Sequence, residues 1–439
     1  MDLERTPLLT DLYELTMLQT YLEHGMTERA VFEFFVRPAG PRRPFFVAAG
    51  VEHTLDWLSG MHFEEPELQW IRDSGLFRDG FAEELASLRF TGDVTALPEG
   101  TVCFPGEPIV RVSAPLPEAQ LVESRLMNIV HFQTLIATKA ARCRIAADDR
   151  RVVDFGLRRA HGAEAGLWAA RACYMAGFDA TATVAAGMRY GVPVTGTMAH
   201  SFILSHDSET EAFERFAHSH PNNVVLLIDT YDVDTGARQV AKLAPRLREA
   251  GIAVRAVRID SGDLASHARS VRTILDDAGL QETGILVSGG LDEDSIAALV
   301  ASGAPIDGFG VGSKVDTSAD IAFLDSAYKL HEYAGRPRNK RSEGKQDLPG
   351  IKQVFRHFDV DGRMAGDIIG LTEEAAAGQP LLETVMRDGR RTGPAGTLDG
   401  ARARCGEQLG QLPASLRALS TESGYPVTLS PGLNRLRSE

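Results

Sequence analysis

Val224-Val225-Leu226-Leu227-Ile228-Asp229 is an unbroken apolar run closed by a carboxylate; a helical stretch follows at 238–249, then a second strand-like run at 253–259. A strand that is apolar on both faces suits a sheet covered on both sides, and two strands joined through a helix lie parallel in one sheet. The same rhythm continues in both directions. Strand-like runs stand at 152–156, 193–197, 285–288 and 306–309, with helical stretches at 164–175, 209–218, 264–278 and 293–301. Six such runs with right-handed crossovers predict a closed or nearly closed, TIM-like α/β barrel, an open doubly wound sheet being the alternative.

The flanks lack this rhythm. Leu12, Leu15, Leu18 and Leu22 fall at helical spacing within 10–24, with Thr10 or Asp11 as cap and Gly25 as stop. Strands are predicted at 30–37 and 45–49, and a helix from Val51. Short strands with Pro and Gly turns make 92–112 a small β-rich unit, and 116–147 reads as helix with an apolar stripe of Val122, Leu126, Ile129 and Ile136. Beyond Tyr333 comes a basic, turn-rich stretch with Arg336, Arg338, Lys340, Arg341 and Lys345. Short strands and helices follow, and the last stretch reads as an extended tail. The predicted divisions are 1–147, 148–335 and 336–439.

Composition narrows the function. With 439 residues, 44% hydrophobic and 24% charged, the chain builds a sizeable core without staples. A net charge of −14 argues against nucleic acid or an anionic membrane as partner. Cys103, Cys143, Cys173 and Cys405 are too scattered for a cysteine zinc site or a disulfide framework. No run approaches the roughly 20 apolar residues of a membrane span, and the opening residues lack signal-peptide character. A cytoplasmic location is expected.

In a parallel α/β barrel the functional groups come from the carboxyl ends of the strands. The residues after the six runs are Asp154-Phe155-Gly156-Leu157-Arg158-Arg159, Gly196-Thr197-Met198-Ala199-His200-Ser201, Asp229-Thr230-Tyr231-Asp232, Arg258-Ile259-Asp260-Ser261-Gly262-Asp263, Ser288-Gly289-Gly290-Leu291-Asp292 and Gly310-Val311-Gly312-Ser313-Lys314. Glycine turns expose backbone N–H groups to phosphate oxygens. Asp260 and Asp263 are suited to sugar hydroxyls or Mg²⁺, although Asp263 is equally suited to cap the next helix. Arginine offers a planar fork to carboxylate or phosphate. His200 stands where an imidazole is presented at a strand's mouth. Together these residues predict a site for a phosphorylated, sugar-bearing, metal-associated substrate.

The same motifs, with Thr10-Asp11-Leu12-Tyr13-Glu14-Leu15-Thr16-Met17, Phe34-Phe35-Val36-Arg37, Phe132-Gln133-Thr134-Leu135-Ile136-Ala137-Thr138-Lys139 and Ser342-Glu343-Gly344-Lys345 before Pro349-Gly350, resemble the nicotinate phosphoribosyltransferase family. The resemblance runs from about residue 7 to about residue 360. It implies an irregular α/β barrel plus an α/β domain formed by the N- and C-terminal segments, with 336–439 packing back on the N-terminal domain. It implies the joining of nicotinate and 5-phosphoribosyl-1-pyrophosphate into nicotinate mononucleotide and pyrophosphate in NAD salvage. Mg²⁺ is the implied cofactor, ATP a co-substrate hydrolysed through a phosphohistidine, and the assembly a homodimer with shared active sites.

Carried onto this chain, the resemblance makes His200 the phosphorylated histidine. Phe155 becomes the aromatic stacked on the pyridine, and Tyr13 the tyrosine reaching in from the partner. Arg158 or Arg159 would hold carboxylate or phosphate. Arg258 and Asp260 would address pyrophosphate and ribose, with Ser201 and Asp263 alongside. Gly289, Gly290, Gly312 and Ser313 would cradle the 5′-phosphate. No residue is singled out as a metal ligand. Two departures matter. Ala182 stands where nicotinamide-using relatives carry an Asp, which favours nicotinate. Gly290 stands where relatives often carry an acid, which leaves its role open. A nicotinamide or quinolinate transferase of the same fold, or a non-catalytic nucleotide-binding homologue, are the competing expectations.

Overall fold

The apolar runs of residues 139–322 pair as parallel strands in the computed structural model, which describes residues 5–340, 348–374, 377–421 and 423–438. The strands are β1 (Arg151–Asp154), β2 (Ala180–Thr181), β3 (Val224–Leu227), β4 (Val254–Ile259), β5 (Gly284–Ser288) and β6 (Gly308–Val311). They form one sheet in the order β2-β1-β6-β5-β4-β3, and every pairing is parallel. The two ends of that order, β2 and β3, are not paired with each other among the described residues, so the strands make a parallel half-barrel. All four residues of β3 and of β6 are buried, as expected of strands covered on both sides.

Helices follow the strands because the intervening sequences have the right stripes and caps. In Val233–Glu249 the buried residues are Val233, Gly236, Ala237, Val240, Leu243, Ala244 and Leu247, a single face at helical spacing. Asp232, Asp263 and Asp292 each cap the helix that follows, accepting from the N–H of Thr235, Ser266 and Ser295. A carboxylate therefore sits at the start of three helices in a row.

One strand expected from sequence is absent. Residues 193–197 make only an isolated bridge, Val194 to Thr181. The edge position belongs to Ala180–Thr181, and a helix at Val184–Tyr190 intervenes. Pro193 lacks the N–H that a strand interior needs, and Gly191 and Gly196 bracket the run. His200 consequently begins the short helix His200–Leu204 rather than ending a strand.

The second compact unit comprises residues 1–138 and 323–439. The cuts read from sequence stood at 147/148 and 335/336. Its seven-stranded sheet runs Arg336–Pro337, Ser326–Tyr333, Arg29–Val36, Pro108–Pro115, Asp93–Ala96, Glu383–Arg387, Arg390–Arg391. Strands from the C-terminal segment thus flank strands from the N-terminal one, and all these pairings are antiparallel. The 92–112 stretch is no separate β-rich unit: two of its strands lie inside this sheet. The stretch 116–147 is two helices, Leu116–Leu121 and Glu123–Ala147, parted at Val122. The terminal stretch is not an extended tail. Val427–Leu429 pairs parallel with Met364–Leu371, and the helix Pro431–Ser438 buries Leu433. A single buried leucine is too weak a pattern to read against so many Gly, Pro and Arg. Arg341 and Lys345, and the motif at 342–345, lie outside the described residues. No helix among the described residues is long and apolar enough to cross a membrane.

Candidate active site

A cavity of about 520 Å³ opens at the carboxyl ends of the strands in the 139–322 unit. Its lining includes Phe155, Arg158, Arg159, Arg258, Asp260, Gly289, Gly290, Gly312 and Ser313, all singled out from sequence. Ala182 lines it too. Arg158 and Arg159 sit in a single 3₁₀ turn, Leu157–Arg159, and both are exposed.

Arg258 organises one side of this cavity. From the end of β4 its Nε donates to Ser288 Oγ at 2.8 Å, its Nη2 to Asp260 Oδ1 at 2.7 Å and its Nη1 to Thr197 Oγ1 at 3.2 Å. Ser288, on the neighbouring β5, donates in turn to the same Asp260 oxygen. The Asp260 carboxyl is therefore held below its ordinary range. Burial alone would raise it, but the Ser288 hydroxyl and the Arg258 guanidinium outweigh that effect, with His200 adding to them. Asp260 stays a carboxylate, and its Oδ2 takes no hydrogen bond among the described residues.

The guanidinium carbon of Arg258 also lies 5.3 Å from the centre of the Phe155 ring. That ring fits because β6 carries Gly310: a Cβ there would stand 2.5 Å from Phe155 Cε2. Beneath the Phe155–Gly156 turn two carboxyls, Asp154 and Asp316, are buried side by side. Asp154 accepts from Gly156 N at 2.8 Å and Thr181 Oγ1 at 2.6 Å, whereas neither oxygen of Asp316 has a hydrogen-bond partner among the described residues. Burial pushes both carboxyls up, and the neighbouring Asp154 pushes Asp316 further.

Asp229 is the residue that the sequence reading left without a role. It ends the run after β3, its side chain is 1% exposed, and it does three things at once. Oδ1 receives His200 Nε2 at 3.1 Å, while Oδ2 accepts from Asp260 N at 2.9 Å and Ser261 Oγ at 2.7 Å. The unbroken chain His200–Asp229–Asp260–Arg258 explains why a carboxylate closes that apolar run. Its position after the strand was a signal available in the sequence. A fixed Nε2–H···Oδ1 bond leaves the lone pair of His200 on Nδ1, and the imidazole is 41% exposed.

The other predicted residues divide. Gly289 and Gly290 have φ of +102° and +65°, in the left-handed region, and a Cβ on Gly289 would meet the Asp260 carbonyl oxygen at 2.1 Å. The backbone at Gly290 thus suits glycine whatever side chain relatives place there. Asp263 caps its helix through Ser266 N at 3.1 Å and does not line the cavity. Ser201 is exposed on the second residue of its short helix and also stands outside the lining. Tyr13 belongs to the other unit, where it is 45% exposed on the helix Leu12–Glu23.

Known proteins share this architecture. The nicotinate phosphoribosyltransferase N-terminal domain matches residues 8–131, and the C-terminal domain of the same name matches residues 375–437. A nicotinate phosphoribosyltransferase of Mycobacterium tuberculosis is 48% identical over 425 residues, covering 96% of this chain and 91% of that one. The Homo sapiens nicotinate phosphoribosyltransferase is 33% identical, covering 98% and 96%. The crystal structure of human nicotinic acid phosphoribosyltransferase superposes with a TM-score of 0.88 at 30% identity, over 98% of this chain and 99% of that one. A nicotinate-nucleotide pyrophosphorylase from Pyrococcus furiosus shares the fold, with a TM-score of 0.75 at 24% identity over 92% and 95%. The half-barrel and its rim are those of a pentosyltransferase. The chain belongs to the nicotinate phosphoribosyltransferase family, the transferases of NAD salvage.

Proposed function

We propose that this protein joins nicotinate to 5-phosphoribosyl-1-pyrophosphate and couples that reaction to ATP hydrolysis through a phosphohistidine at His200. The observation that carries the reading is the chain of hydrogen bonds from His200 through Asp229 and Asp260 to Arg258 beside Phe155. It supports the reading because the imidazole, carboxylate, guanidinium and aromatic ring that the reaction calls for are linked to one another.

The reaction forms a bond between the pyridine nitrogen and C1 of the ribose while the bond from C1 to the pyrophosphate oxygen breaks. Positive charge develops on the sugar ring and negative charge on the leaving group. No protein nucleophile is required at the sugar. The residues position the ring and stabilise the leaving pyrophosphate. Phe155 stacks on the pyridine, and Arg158 or Arg159 holds its carboxylate. Ala182 places no acid there to repel it. Arg258 neutralises pyrophosphate oxygens, Asp260 addresses the ribose hydroxyls, and the turns at Gly289-Gly290 and Gly312-Ser313 receive the 5′-phosphate. Ser201 and Asp263 flank these groups. Tyr13 completes the site of a partner subunit in a homodimer.

Among the described residues no group of three or more His, Cys, Asp or Glu forms a metal cage. Mg²⁺ characteristically binds through one or two carboxylates plus substrate phosphates. The donor set fits an ion held in that way, with the unbonded Oδ2 of Asp260 as the protein's contribution. Such an ion would supply charge neutralisation to the pyrophosphate. All four cysteines are buried thiols and none forms a disulfide, in keeping with the cytoplasm.

The test is product formation from nicotinate, nicotinamide and quinolinate under identical conditions with 5-phosphoribosyl-1-pyrophosphate, Mg²⁺ and ATP. Nicotinate is expected to be preferred, and preference for nicotinamide would overturn the assignment. Mass spectrometry after incubation with Mg-ATP should find phosphate on His200 and none in His200→Ala.

A further inference from the structure

The two glycine turns are tied to each other by a contact that neither the strands nor the cavity lining requires. Lys314 Nζ lies 2.7 Å from Asp292 Oδ2. Lys314 comes two residues after Gly312, and Asp292 two residues after Gly290. Their strands, β5 and β6, are neighbours, with Ser288 opposite Gly310. The ion pair therefore spans from one phosphate-facing turn to the next at the point where the strands have ended and no ladder hydrogen bonds hold the gap.

Asp292 divides its two oxygens between separate tasks. Oδ1 caps the helix Glu293–Ala301, accepting from Ser295 N at 2.9 Å and Ser295 Oγ at 2.8 Å. Capping consumes that oxygen only, so Oδ2 is available for the lysine. Burial alone would push the carboxyl up, but the lysine and the Ser295 donors hold it at about 2, so it is charged at any working pH. Side-chain exposures of 18% for Asp292 and 42% for Lys314 put the pair at the rim, partly shielded from water.

We propose that Asp292 and Lys314 are a positioning pair that fixes the distance between the Gly289-Gly290 and Gly312-Ser313 turns and thereby sets the affinity for the 5′-phosphate of the ribose donor. The inference rests on the reading that these turns receive that phosphate. Backbone N–H groups cannot adjust individually, so a phosphate cradled by two turns is sensitive to their separation. A displacement of about 1 Å at such a contact costs up to a hundredfold.

The experiment uses Asp292→Asn, Lys314→Met and Lys314→Arg in the full chain. Asn caps a helix as well as Asp does, so Asp292→Asn removes the ion pair while the helix keeps its start. Each of Asp292→Asn and Lys314→Met should raise KM for 5-phosphoribosyl-1-pyrophosphate about fivefold or more. The fall in kcat and the change in KM for nicotinate should both be much smaller. The double variant should be no worse than the poorer single one, and Lys314→Arg should restore most of the affinity. Unchanged donor KM in Asp292→Asn overturns the pair, and a large effect in Lys314→Met alone assigns Lys314 to the phosphate directly. Additive losses in the double variant also overturn it. If the wild-type enzyme forms no product from the donor, the underlying reading has failed rather than the pair alone.

Discussion

Replacing Asp229 with Asn tests the link between the buried carboxylate and the proposed phosphate acceptor. The two oxygens of Asp229 accept three hydrogen bonds, one from His200 and two from the Asp260 N–H and the Ser261 hydroxyl. Asparagine has one acceptor oxygen and one NH₂. The backbone N–H of Asp260 cannot turn away, so the amide oxygen must stay on that side. The NH₂ then faces His200 Nε2, which becomes an acceptor, and the ring proton moves to Nδ1. In that tautomer the nitrogen left to attack phosphorus carries a proton. Restoring the reactive tautomer breaks a hydrogen bond at a buried group, a cost of about 1–3 kcal/mol, or roughly five- to 150-fold in rate. The imidazole is 41% exposed, so water recovers part of that cost and the expected loss is about tenfold. The assays are phosphohistidine formation by mass spectrometry and the ATP hydrolysis rate, with thermal unfolding as control. The melting temperature should move little, since the oxygen side is preserved. Phosphohistidine formation within twofold of wild type would refute the tautomer argument.

Further outcomes are expected at neighbouring positions. Gly310→Ala puts a methyl 2.5 Å from the Phe155 ring. It should displace the ring, raise KM for nicotinate and cost about 1–3 kcal/mol of stability in chemical denaturation; an unchanged KM would separate Phe155 from pyridine binding. Asp316→Asn retains a donor towards Asp154 without a titrating proton. The raised carboxyl of Asp316 stabilises the fold fully only below the ordinary carboxyl range and loses that contribution as pH rises above it, so the variant should match wild type near pH 4 and exceed it at neutral pH. Asp154→Asn, which keeps only one acceptor oxygen for the two donors Gly156 N and Thr181 Oγ1, should instead be destabilised by about 1–3 kcal/mol at both. Glu209 is pushed up to about 7, by burial first and then by Asp229 and Asp232. Its protonated form is favoured in the fold, so stability falls as pH rises from the ordinary carboxyl range towards 7. Glu209→Gln should therefore raise the melting temperature at pH 8 and leave it unchanged near pH 4; a difference independent of pH would contradict the assignment.

The sequence by itself determined the alternation of parallel strands and helices and most of the rim. Strands buried on both faces have to be apolar throughout, and the helices between them need a stripe and a cap. Both constraints are local and visible in stretches such as Val224–Leu227 and Val233–Glu249. Glycines and arginines after strands could be read for the same reason, because a strand's end fixes where its next residues emerge. What followed from non-local pairing was not legible. Residues 193–197 have strand composition, yet the edge of the sheet is taken by two residues, Ala180–Thr181, whose place depends on their partner β1. The membership of 92–112 and 427–429 in sheets is settled by partners far along the chain. Tertiary structure alone brought Asp229 under His200, put Gly310 against Phe155 and paired Asp292 with Lys314. Each of these joins residues from separate stretches of the chain, and their chemistry arises from a distance of a few ångströms that no single stretch of sequence encodes.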